Sequence, residues 1–68
     1  MKIKKGDKLV AINPSSRKKE KYIYLGKNKD MPEWYEKGLT RKVLDVRYGI
    51  ECYVSDNWIE AYKVRKEE

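Results

Sequence analysis

Histidine and phenylalanine are missing from this sequence altogether, and cysteine occurs once. Without an imidazole there is no histidine base, no Cys-His pair and no histidine metal site. A lone Cys52, set in the apolar run "IECYV", cannot staple the fold, and a zinc site built on sulfur needs more thiols than one. It reads as a reduced, buried core residue. Neither G-x-x-x-x-G-K-[ST] nor G-x-G-x-x-G occurs, so the loops that cradle phosphates are missing. Ser15, Ser16 and Ser55 have no partner to activate them. Glu33 and Glu36, which would share one side of a helical turn, read as a solvated face. A chain of 68 residues encloses no deep pocket. The expectation is a protein that is not an enzyme, with no cofactor, no metal and no small-molecule substrate. No apolar run approaches the roughly 20 residues that span a bilayer. The start, "MKIKKGDKLVAI", lacks the apolar length and cleavage pattern of a signal peptide. A cytoplasmic protein with no membrane partner is expected.

Charge is abundant and unevenly placed. Residues 1–29 carry ten basic side chains against Asp7 and Glu20, a net of +8. Residues 30–68 carry seven basic and nine acidic side chains, a net of −2. A basic front half joined to a slightly acidic back half points to a polyanionic partner, most simply nucleic acid. Against this stands the plain reading that lysine-rich surfaces keep small proteins in solution.

The apolar residues alternate, and β-branched side chains outnumber leucine, which favours strands. "KKGDK" reads as a turn at Gly6-Asp7 feeding the strand "KLVAI"; "NPSSRKKEK" is a loop. "KYIYLG" is a second strand, with Tyr22 and Tyr24 on one face and Ile23 and Leu25 on the other. "KNKDMPEWYEKG" is a polar connection that admits one helical turn over 32–37, Pro32 suiting its first position. "LTRKVLDVRYG" is a third strand with Leu44, Val46 and Tyr48 on one face. "IECYV" is the fourth, with Ile50, Cys52 and Val54 inward against Glu51 and Tyr53. After the turn "SDN", the segment "WIEAYKV" completes the chain before the charged "RKEE". Short strands without a long helix predict an all-β domain, and a small sheet does best to close into a barrel.

Three stretches carry a family resemblance. "MKIKKGDKLVAI" resembles the entry strand of small SH3-like barrels, where a Gly-Asp turn precedes a hydrophobic strand. "DNWIEAYKV" is similar to their closing segment: a strand holding a tryptophan, a tight helical turn (here residues 60–62), then a short last strand ending on Val64. "GLTRKVLDVRYGIECYV" looks like the central hairpin of short barrels encoded by bacteriophages. The resemblance implies one five-stranded SH3-like barrel over residues 1–68 with a short charged tail. "KGDKLVAI" also resembles the KOW motif, though "SSRKKE" stands where a KOW unit carries a glycine-rich turn.

Two functions follow. In the first, Arg17, Lys18, Lys19, Lys21, Lys27 and Lys29 meet the phosphates of DNA or RNA while Tyr22, Tyr24 or Trp34 stack on bases, with weak sequence preference. All eight aromatics are tyrosine or tryptophan, rings with polar tips that seek water or a partner. In the second, "DMPEWYE" with Tyr53 forms a protein-docking surface through Met31, Trp34, Tyr35 and Tyr53, as in a phage-encoded inhibitor or adaptor that sits on a host nucleic-acid-processing enzyme. Trp34 and Tyr35 would divide the work, one an anchor and one a contact. Trp58 and Tyr48 are expected in the core.

Overall fold

A computed structural model of the chain describes residues 3–27 and 40–67. Its elements are β1 (Lys8–Ile12), β2 (Lys19–Lys27), β3 (Arg41–Asp45), β4 (Ile50–Val54), α1 (Asp56–Ala61) and β5 (Arg65–Lys66). The strands form one antiparallel sheet in the order β4-β3-β2-β1-β5. Consecutive strands are neighbours until α1 returns the chain and lays β5 beside β1. This is the all-β, small barrel-like fold that the alternation predicts. The helical turn expected over 32–37 lies outside the described residues.

Turn chemistry sets the path. Gly6 sits at φ 93°, a left-handed conformation that suits glycine. The Asp7 carboxylate accepts the Lys4 N–H at 2.8 Å, closing the turn before β1. Between β1 and β2, Asn13 Oδ1 accepts the N–H groups of Ser15 and Ser16, an Asx turn. Further along β2 the register shifts between Tyr24 and Gly26, a bulge with Gly26 at φ 108°. That bend lets one nine-residue strand pair with β1 at its start and with β3 at its end.

Register assigns the faces. Leu9, Ala11, Glu20, Tyr22, Tyr24, Val43, Asp45, Cys52 and Val54 share the inward face, and Leu9, Ala11, Tyr22, Tyr24, Val43, Val54 and Val64 form the buried core. Tyrosines therefore take the places that phenylalanine holds in many cores, because their hydroxyls find partners inside. Tyr22 donates to Glu20 Oε1 at 3.1 Å, and Arg41 donates to the Tyr24 hydroxyl at 3.1 Å.

The third strand departs from expectation. Val43 and Asp45 point inward, whereas Leu44 is half-buried on the opposite face. Val46 and Tyr48 are 49% and 68% exposed, beyond the strand's end in the turn that precedes β4. Alternation holds only while the chain stays extended, and the Gly49 N–H bond to the Asp45 carbonyl at 2.8 Å closes that turn instead. On β4, Val54 is buried, Cys52 half-buried and Ile50 57% exposed, since the inward row runs out past the edge of the core.

Trp58 belongs to α1, not to a strand. Ser55 caps that helix by accepting the Trp58 N–H, and Asp56 lies in its first turn. The predicted turn at residues 60–62 is the C-terminal end of α1. There the Val64 N–H reaches the Ile59 carbonyl and the Lys63 N–H reaches the Glu60 carbonyl, with Lys63 at φ 48°, a Schellman arrangement. Helix wins over strand because the Ser55 cap and the Tyr62 C-cap enclose these six residues. Trp58 then meets Tyr22 edge-on at 5.2 Å between centroids and so covers one end of the sheet.

Candidate nucleic-acid interface

The outward face of β5, β1 and β2 gathers cations. Val10 pairs with Lys21 on one side and Arg65 on the other, Lys8 pairs with Ile23, and Lys19 pairs with Ile12. Lys8, Lys19, Lys21 and Arg65 are therefore on one face, with Arg17 and Lys18 in the turn that leads into Lys19. Val10 is buried although it faces outward, because its cross-strand neighbours flank it with long aliphatic stems. Arg17 holds φ 59°, a conformation that costs a side-chain-bearing residue about 1 kcal/mol and that glycine or asparagine adopts more easily.

Pairing of charges separates the two halves of the sheet. On the β3–β4 hairpin, Arg41 is bound to Asp56 (2.6 Å), Lys42 to Glu51 (2.9 Å), and Arg47 to Glu20 (3.1 Å) and Asp45 (3.5 Å). Asp56, Glu51 and Asp45 respectively hold these three cations above their ordinary pKa values, so their charge is internally neutralised. By contrast, Lys5, Lys8, Arg17, Lys18, Lys19 and Lys27 have no carboxylate partner among the described residues. Uncompensated positive charge lies along β1, β2 and the turns that flank them.

An exposed ring sits on the turn next to β2. The β3–β4 turn touches β2 through the Val46 N–H, which bonds the Lys21 carbonyl at 3.3 Å. Tyr48 projects from this turn, and the Arg47 guanidinium lies 5.0 Å from its ring centroid. Arg47 is fixed from below by Glu20 and Asp45, both buried. Burial, followed by the bond to Glu20, pushes the Tyr22 hydroxyl well above the usual tyrosine range, so it stays a donor at neutral pH. The buried acids are engaged in this network, which holds the turn in place, and Tyr48 is largely exposed.

Of the residues predicted from sequence, the structure brings Arg17, Lys18, Lys19 and Lys21 together. Lys27 stands eight residues from Lys19, roughly 26 Å along an extended strand. Tyr22 and Tyr24 are corrected: they are 8% and 4% exposed and face away from Lys19 and Lys21, so neither offers a ring to a base. The reason is the two-residue period, which puts them on the core side together with Glu20. Lys29, Met31, Trp34 and Tyr35 lie outside the described residues. Tyr53 is on the outward face of β4, near the Lys42 ammonium at 5.9 Å. Sequence reasoning missed Lys8, Arg65 and Tyr48. Lys8 was legible from the alternation of "KLVAI"; Arg65 depends on the β1–β5 pairing, which no local pattern shows. Among the described residues no helix is long and apolar enough to cross a membrane. Compared with known proteins, the chain matches no family model, no curated protein and no solved structure.

Proposed function

We propose that the protein is a non-enzymatic module that binds single-stranded nucleic acid across the outward face of β5, β1 and β2. Phosphates meet Arg17, Lys18, Lys19, Lys8, Lys21 and Arg65, and an unpaired base stacks on Tyr48. The observation that carries this reading is the uncompensated positive charge on β1–β2 beside an exposed, arginine-backed tyrosine. A duplex hides its base faces, whereas a single strand presents them to an aromatic platform. Among the described residues the one helix is six residues long and bears Asp56 and Glu60, which repel a groove lined by phosphates. Sequence preference is accordingly weak. The strand order, with a helical turn before β5, supports reading the chain as an SH3-like barrel; a fold of this kind leaves function to the surface.

The test is titration against labelled single-stranded homopolymers of DNA and RNA at about 50 mM and about 200 mM salt. Binding that weakens steeply with salt is expected. Absence of binding at low salt, or affinity indifferent to salt, overturns the proposal.

A further inference from the structure

Between β5, β1 and β2 the outward face is indented by a groove of about 250 Å³ lined by Lys8, Lys21, Tyr22, Ile23, Val46 and Glu67. Two ammonium groups stand over an aliphatic floor. The volume of about 250 Å³ is below the roughly 300–1,000 Å³ of pockets that enclose small molecules, and the groove is partly open to solvent. It suits a chain that passes across it.

Glu67 forms one wall of this groove. Its N–H bonds the Lys8 carbonyl at 2.8 Å, which extends the β1–β5 ladder by one residue and turns the side chain outward. Its carboxylate then meets Lys21 Nζ at 3.4 Å. These residues belong to strands on opposite sides of β1, about 9.6 Å apart at two strand spacings. Both side chains must lean across β1 to touch. Lys8, beneath that bridge, has no carboxylate partner among the described residues.

We infer that the Lys8–Lys21 groove is a phosphodiester subsite and that Glu67 occupies it as an internal anion in the free protein. This rests on the nucleic-acid reading above. A phosphate oxygen replaces the Glu67 carboxylate on Lys21 and gains Lys8 as well. Only the Glu67 side chain has to rotate, because its backbone bond to β1 is separate from the ion pair. The pair is long and part-exposed, Lys21 at 64% and Glu67 at 33%, so it is weakly held and a strand can displace it.

The experiment compares wild type, Glu67→Gln, Glu60→Gln and the double variant Glu67→Gln with Lys21→Gln on a single-stranded oligothymidylate over a series of salt concentrations. Glu60 lies on α1 without an ion pair among the described residues, so its substitution makes the same change in net charge elsewhere. Glu67→Gln is expected to tighten binding about three- to tenfold and to steepen the log–log salt slope by about 0.7, one further phosphate contact. Glu60→Gln shifts affinity by less than about twofold at this screened distance. Adding Lys21→Gln abolishes the gain. If wild type binds and Glu67→Gln matches either wild type or Glu60→Gln, the subsite inference fails and the broader function stands. If no variant binds at low salt, both fail.

Discussion

The Arg47 guanidinium lies 5.0 Å from the centroid of the Tyr48 ring, and the same guanidinium is tied to Glu20 and Asp45. Two buried acids thus hold a cation, and the cation holds an exposed ring. A tyrosine at the tip of a free turn would lose conformational entropy on stacking; this one is already placed.

Replacing Arg47 by alanine strips the counter-charge from both buried carboxylates. Breaking a fully buried pair is strongly destabilising; Arg47 is 46% exposed, so a smaller but measurable loss of stability is expected. Urea denaturation measures it. Loss below about 0.5 kcal/mol would show that the acids do not depend on Arg47.

Tyr48→Ala separates function from stability. The ring is 68% exposed, and surface substitutions of this kind move stability by about 0.5 kcal/mol or less. Stacking is worth about 1–3 kcal/mol per base, so affinity for a single-stranded oligonucleotide should fall about five- to 150-fold. Unchanged affinity removes Tyr48 from the interface.

Arg17→Gly should act in opposite directions. Relief of the left-handed strain raises stability by up to about 1 kcal/mol, while oligonucleotide affinity drops and its salt slope becomes shallower by about 0.7. A thermal melt and a salt titration on the same preparation check both signs.

Tyr22→Phe removes the proton that Glu20 Oε1 accepts and is expected to cost about 1 kcal/mol at neutral pH. In the folded protein the Tyr22 hydroxyl titrates above its unfolded value, so its stabilising effect is complete below about pH 10 and is lost as pH rises through the folded value. The advantage of wild type over the variant should therefore shrink above about pH 10. A gap independent of pH in this range contradicts the hydrogen bond.

Asp7→Asn probes the acid side. The Lys4 N–H, with Lys66 beyond it, holds the Asp7 carboxyl below the usual aspartate value. Its contribution is present above about pH 4 and disappears as pH falls through the folded value. Chemical denaturation from neutral pH downward should show the wild-type advantage over Asp7→Asn fading in acid.

Much of the fold was legible locally. The Gly6-Asp7 turn, the strand "KLVAI" and the Asn-Pro loop are written in residues a few positions apart, and the sheet uses each of them; "IECYV" is a strand too, with Val54 buried and Ile50 exposed. The closing segment was not. "WIEAYKV" carries strand-like residues, yet a serine cap and a left-handed Lys63 make it a helix that delivers Trp58 onto Tyr22.

Composition and order of residues determined that the chain is strand-rich and that its positive charge is concentrated in its first half, because propensity and charge count are properties of the residues themselves. Which face of each strand points inward was left to the tertiary structure. A two-residue period defines two faces but not which one is buried. That choice fell to Tyr22 and Tyr24 when Glu20, Arg41 and Trp58 came within reach to satisfy their hydroxyls and pack their rings. It sent Lys19 and Lys21 outward beside Arg65, a residue more than 40 positions away that only the pairing of β5 with β1 could bring there.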